Sequence, residues 1–267
     1  MRTFFITLMV FMLVLPLKLQ AHAWLKLKVA TSEYAPYTST SMEHNGYINH
    51  IIAQAFLETG VIVEFTSMPW EEALEATLKG EYDALSYGNF IRSRETLFWH
   101  SEPISVENLI FYTNKNTQRS SWSSLESLKD LNMGITQGYL YTDELASYIK
   151  APSPRVSTFK TDKAGFDALI EGEIDIFPID ELTGWYILET EFNQAERNEI
   201  TSISPYISTV TTHLLVPKGR SNNRLILELF NKGLQELALQ GKMKRFKRLL
   251  KSGFYQHPEK PVDYDRR

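Results

Sequence analysis

Ionisable and aromatic side chains set the limits on what chemistry this chain can do. Glu33, Glu71 and Asp180 are carboxylates that could serve as acid or base if their environment shifted their pKa. No G-x-S-x-G, H-E-x-x-H or P-loop pattern accompanies them. His44 and His50 stand six apart and the remaining histidines are scattered, which is not a metal-ligand spacing, so no metal and no cofactor is expected. The chain has no cysteine, and therefore no thiolate nucleophile, no disulfide and no cysteine to lipidate. Arg94 offers a planar fork that matches a carboxylate with two parallel hydrogen bonds, which lysine cannot copy. With Arg92 two residues away, Arg94 could equally be a plain surface cation. Asp180 precedes the apolar stretch Leu182 to Leu188 and is well suited to cap a helix there. Thirteen Tyr, 15 Phe and 5 Trp supply cores first and apolar pockets second.

The elements that must position these residues alternate between strand and helix. Leu25–Ala30 alternates with period two, so it reads as a strand, and Pro36 makes Tyr34–Tyr37 a loop. Ile48–Thr59 carries a helical apolar face stopped by Gly60, and Val61–Phe65 is β-rich. Pro69 opens a helix over Trp70–Lys79 that ends at Gly80, and Tyr82–Leu85 is a short strand. This rhythm predicts a mainly parallel sheet with helices on its faces. The same rhythm returns with strands at 108–112, 133–136, 174–177 and 213–216. Helices are expected at 125–131, after Gly138, and over 164–171, 225–239 and 242–250. The polar run Thr113–Ser124 reads as a connector, and the charged tail after Pro258 as frayed.

The first 23 residues are set apart from the fold. A basic start, an apolar run over Phe4–Leu17 and Ala21-His22-Ala23 follow the order of a secretory signal peptide, with cleavage expected after Ala23. The apolar run is too short for a membrane span. With 28 basic and 32 acidic residues, a net charge of -4 gives no electrostatic footprint for nucleic acid.

Several motifs arrive in a fixed order: Tyr34-Ala-Pro-Tyr37, Gly46 before a helix, Trp70 opening the next, and Leu78-Lys-Gly-Glu-Tyr-Asp83-Ala. Then come Arg94 seven residues before Ser101-Glu-Pro103, Met133-Gly-Ile-Thr-Gln-Gly138, Gly172-Glu-Ile-Asp175 and Asp180-Glu181. The ordered set resembles the family 3 extracellular solute-binding proteins, the polar amino acid binders of ABC uptake systems. The resemblance covers essentially the whole mature chain. It implies a periplasmic-binding-protein-like type II fold of two α/β lobes with mixed sheets, joined by two hinge strands. Residues 24–112 plus 213–267 would form lobe 1 and 113–212 lobe 2, with a ligand cleft between them that closes by hinge motion.

The resemblance also implies roles. Arg94 would clamp a ligand α-carboxylate and Asp180 would receive its ammonium, with Glu181 as the alternate carboxylate. Tyr34 and Trp70 would sandwich the ligand. Asn89 would lie near the ammonium, Tyr87 would offer its backbone carbonyl, and Gly138, Tyr139 and Leu140 would form the loop at the second lobe's helix start. This sequence departs from the pattern at Ile91, His100, Tyr139 and Leu140, and has Asn49 and His50 where an acidic residue is usual. The implied protein is a monomeric periplasmic receptor for an amino acid-like solute that works with a membrane permease. Two alternatives carry the same fold: a ligand sensor feeding a membrane receptor, and a cleft enzyme of the cyclohexadienyl dehydratase type.

Overall fold

A computed structural model describes residues 25–139, 141–152 and 155–256. The expected signal peptide and the tail after Pro258 lie outside the described residues, as does Leu140. Nine strands form one mixed sheet: β1 (Leu25–Thr31), β2 (Val61–Ser67), β3 (Ala84–Asn89), β4 (Phe98–His100), β5 (Ser105–Asn114), β6 (Asn132–Thr136), β7 (Arg155–Phe159), β8 (Ile176–Asp180) and β9 (Ile200–Pro217). Among the described residues eight α-helices accompany them: α1 (Tyr47–Glu58), α2 (Trp70–Lys79), α3 (Asp143–Ile149), α4 (Asp162–Glu171), α5 (Glu181–Glu191), α6 (Gln194–Glu199), α7 (Asn223–Leu239) and α8 (Lys242–Lys251).

The strand order is β2-β1-β3-β9-β5-β8-β6-β7, with β4 also paired to β9. The outer pairs are parallel: β1 with β2 and β3, and β6 with β7 and β8. The centre is antiparallel, because β9 pairs with β3, β4 and β5, and β5 pairs with β8. The expectation of a mainly parallel sheet is corrected at that centre. The short strand expected at 213–216 is the end of an 18-residue strand. Its Ser/Thr-rich first part, Ile200–Thr212, has exposed outer positions and little apolar alternation, so no strand signal stood out. The segment expected as a helix at 125–131 is a single 3-10 turn, Leu125–Leu128, with Ser124 as its cap.

Burial follows the sheet's two wings. One set of buried side chains comes from β1–β3, α1, α7 and α8, including Ile48, Ile52, Phe56, Phe230 and Tyr255. Leu85, Phe98 and Leu215 form a smaller cluster beside Trp70. A second set comes from β5, β6, β8, α4 and the helices around them, including Phe111, Phe166, Ile176 and Phe177. Leu182 and Tyr186 of α5 pack against the first set, so α5 touches both wings. Long strands β5 and β9 run from one wing into the other. Their ladder shifts register between Leu109 and Phe111, at the crossing between the wings.

Candidate functional site

The loop after β1 is held rigid by its own backbone. Tyr34 and Thr38 exchange hydrogen bonds at 2.7 and 3.0 Å, and Thr38 Oγ1 donates to the Ser32 carbonyl at 2.7 Å. Gly46, at φ +94°, brings α1 against this loop: a Cβ there would lie 2.7 Å from the Tyr37 carbonyl oxygen. Only glycine permits that approach. Tyr37 is thereby fixed inside, 1% exposed.

Tyr37 is the middle of an aromatic group. Its ring centroid lies 5.6 Å from Tyr34 and 4.7 Å from Tyr87, both stacked, and Tyr34 and Tyr87 are 5.8 Å apart. Tyr87 has a left-handed backbone, φ 61°, at the register shift of β3 against β9. For a bulky residue this conformation is strained, and it aims the phenol toward β5. There the Tyr87 hydroxyl donates to Glu107 Oε1, and Asn89 Nδ2 donates to Glu107 Oε2 at 3.1 Å. Burial pushes the Glu107 carboxyl up to about 7, opposed by the Tyr87 hydrogen bond and reinforced by the nearby Asp180 charge.

Asp180 ends β8 and caps α5. Its Oδ1 accepts from the Tyr37 hydroxyl at 2.8 Å and from Leu182 N and Thr183 N, both at 3.0 Å. Its Oδ2 accepts from Asn108 N at 3.2 Å. Burial raises its pKa although these hydrogen bonds favour the carboxylate. Glu181 is turned elsewhere, accepting from Asn108 Nδ2 at 3.2 Å and from the Tyr206 hydroxyl at 3.1 Å. Thr183, 3% exposed, sits beside Asp180 and Tyr34.

Arg94 lies in a 3-10 turn, Arg92–Thr96, half-buried, with its guanidinium 5.1 Å above the Trp70 ring. Its Nη1 donates to the Asn89 carbonyl at 3.4 Å. Burial lowers its pKa, and the Glu71 charge opposes that. Asn89 therefore connects the two charged regions: its side chain meets Glu107 and its carbonyl meets Arg94. From the other wing, Tyr139 donates to Asp162 Oδ2 at 2.5 Å, and Thr136 Oγ1 donates to Asp162 Oδ1 at 2.5 Å. The Tyr139 phenol is near enough to Tyr34 and Asp180 to share their electrostatics. Gly138, at φ +84°, turns the chain out of β6, and α3 begins only at Asp143 with Thr142 as cap. The Gly138–Tyr139 amides are thus those of a turn, not the first turn of a helix.

The structure brings Tyr34, Tyr87, Tyr139, Asn89 and Asp180 around one region and sets Arg94 and Trp70 at its side. The Tyr87 side chain meets Glu107 through its hydroxyl. Glu107, Tyr37, Asp162 and Thr183 were not singled out. Glu107 had a readable signal, a charged residue inside an otherwise strand-like run, Ser105–Asn114. Of the carboxylates considered for acid–base work, Glu33 is held below its ordinary value: burial pushes it up, but hydrogen bonds from Ser39, Thr40 and Ser67 outweigh that. Val106 and Asn108 alternate with Glu107 along β5, so they face the other way. On their side a cavity of about 810 Å³ is lined by Tyr37, Asn108, Asp180, Trp185 and Lys247.

Comparison with known proteins places this geometry. Residues 27–249 match the family model described as bacterial extracellular solute-binding proteins, family 3. No curated protein sequence matches. Among solved structures, substrate-binding domain 2 of Lactococcus lactis GlnP, in an open conformation, is 20% identical with a TM-score of 0.63, covering 83% of this chain and 93% of that one. A histidine kinase sensor domain with similarity to periplasmic binding proteins is 17% identical with a TM-score of 0.64, covering 84% and 94%. An ancestral amino acid-binding protein, a precursor of cyclohexadienyl dehydratase, is 19% identical with a TM-score of 0.62, covering 84% and 94%. At these identities the structures establish a shared fold, the periplasmic-binding-protein-like type II domain. The family match spans most of the chain: this protein belongs to the bacterial extracellular solute-binding proteins, family 3.

Proposed function

We propose that the protein is a periplasmic receptor that binds a small polar solute, an amino acid or a close relative, and releases it chemically unchanged. In this reading residues 24–112 plus 213–267 and residues 113–212 are two lobes, β5 and β9 are the hinge, and the ligand draws the lobes together. A ligand that contacts both lobes favours the closed state by its differential affinity. The observation that carries the reading is the meeting of Tyr34, Tyr37 and Tyr87 from one wing with Asp180 and Thr183 from the other. Arg94, stacked on Trp70 at the side of that meeting point, would take an anionic end of the ligand. The protein acts as a monomer, is freed by cleavage after Ala23, and hands its ligand to a membrane permease. Among the described residues no helix is long and apolar enough to cross a membrane.

A thermal-shift screen of the mature protein against amino acids, small peptides and organic acids tests the reading. A ligand that binds only the folded state stabilises it by about 2.7 kcal/mol at a hundredfold excess over its Kd. The expected result is a shift with one or a few L-amino acids that Arg94→Ala abolishes. A flat response to every amino acid, or a hit indifferent to Arg94→Ala, rejects the amino acid assignment.

A further inference from the structure

Glu107 and Asp180 are served only by neutral donors. Glu107 receives the Tyr87 hydroxyl and the Asn89 amide, and Asp180 receives the Tyr37 hydroxyl and three backbone N–H groups. The groups facing Glu107 are Tyr87 and Asn89 from β3, Tyr34 and Tyr37 from the loop after β1, and Asp180 from β8. Tyr139 and Thr183 complete the surroundings on the Tyr34 side. No lysine or arginine is among them. Arg94, the nearby cation, is committed to the Trp70 ring and the Asn89 carbonyl and is balanced by Glu71.

Half-buried Glu107 and buried Asp180, neither in an ion pair among the described residues, are costly to ionise together. One ammonium answers one of them, so a zwitterion whose own carboxylate is met by Arg94 leaves the other unanswered. The Tyr34 face offers an electron-rich surface that attracts cations. Amine and guanidinium groups fit both features: they donate hydrogen bonds to carboxylates while neutralising them, and they stack on phenols.

We propose that Glu107 is a specificity-determining residue that, with Asp180 and Tyr34, seats the cationic group of a ligand bearing an amine or guanidinium in excess of its carboxylates. The inference rests on the solute-binding reading and narrows its ligand to basic amino acids and their amine relatives. Glu107 enters the complex ionised, held between the ligand cation and the Tyr87 and Asn89 donors. With a neutral amino acid Glu107 keeps its proton and adds no charge pair, whereas a cationic side chain gains one, so the basic ligand is preferred.

Titration calorimetry of the mature protein with pairs that differ in the side-chain cation tests this: arginine against its isostere citrulline, and lysine against norleucine, which lacks the ammonium. The cationic member of at least one pair should bind about tenfold tighter or more. Glu107→Gln should bring that ratio toward one. Glu107→Asp, which keeps the charge, should retain part of the preference. Arginine or lysine binding near pH 7 should also release protons, seen as a heat that changes with buffer ionisation enthalpy, and Glu107→Gln should remove the release. Binding of citrulline or norleucine as tightly as its cationic partner, or a ratio indifferent to Glu107→Gln, overturns the inference and leaves the receptor reading standing. No binding by either member of both pairs, together with a flat screen of all amino acids, rejects both.

Discussion

The Tyr37 hydroxyl donates to Asp180 Oδ1 at 2.8 Å, tying the loop after β1 to the first turn of α5 across 143 positions of sequence. The same oxygen caps the helix through Leu182 N and Thr183 N. Tyr37→Phe removes one donor and leaves a buried acceptor short of a partner, at a cost of about 1–3 kcal/mol. Asp180→Asn keeps the shape and weakens both the cap and the tyrosine bond, with a loss of about 1–2 kcal/mol expected. Urea unfolding with an unchanged slope checks both, since neither variant alters the area exposed on unfolding.

His50 predicts an acid-sensitive fold. It is buried against Phe246 and Tyr255, with Nδ1 2.9 Å from the Tyr255 hydroxyl. Burial lowers its pKa to about 3, helped by the His44 and Arg245 charges. The unfolded chain takes up a proton near pH 6.5 and the folded protein does not. This contribution is therefore complete above pH 6.5 and is lost as pH falls toward 3, by about 2 kcal/mol at pH 5. The His50 ring proton should show no titration between pH 5 and 8 by NMR, and His50→Gln should flatten the acid limb of stability against pH.

Glu107 works in the opposite sense. Its folded pKa lies above the ordinary carboxylate value of 4.5, near 7, so the folded state holds a proton that the unfolded chain has released. Stability from this group is complete below pH 4.5 and declines as pH rises through 7, by up to about 3 kcal/mol. The two trends oppose each other between pH 4.5 and 6.5, so wild-type stability there is flatter than that of either variant. Glu107→Gln should be the more stable protein above pH 7 and lose that advantage in acid. A Glu107→Gln profile parallel to wild type would contradict the half-buried, hydrogen-bonded placement of this carboxyl.

Gly233 tests how the first wing closes. It lies in α7, where an added Cβ would fall 1.8 Å from the Ala55 carbonyl oxygen of α1. The obstacle is backbone, so the helices themselves must part. Gly233→Ala should destabilise by about 1–3 kcal/mol in spite of alanine's better helix propensity, visible as a lowered Tm. Lys232→Ala, one residue earlier on the same helix, should change little.

Much of the fold was legible where local signals were strong. Pro69 and Gly80 bracket α2 at the expected residues, Trp70–Lys79, because a proline start and a left-handed glycine stop depend on backbone sterics alone. The amphipathic spacing of Ile51, Ile52, Ala55 and Phe56 located α1 for the same local reason. β9 was missed in its first two-thirds because its partners, β5 and β3, supply the hydrogen bonds that its composition does not advertise. At the site, Asp180 was readable from its place before an apolar helical run. Glu107 matters through Tyr87, Asn89 and Asp180, which arrive from other strands, and no local pattern announces such a meeting.

The pairing of β9 with β3 and β4 also fixes an order of assembly. Leu85 finds its strand partner at Leu215, and α1 finds its helix partner in α7. The N-terminal wing has no finished sheet and no closed core until the last quarter of the chain has been made. Contacts so distant in sequence form slowly. A nascent chain that postpones its first core in this way stays open along its N-terminal wing for as long as its C-terminal quarter is missing.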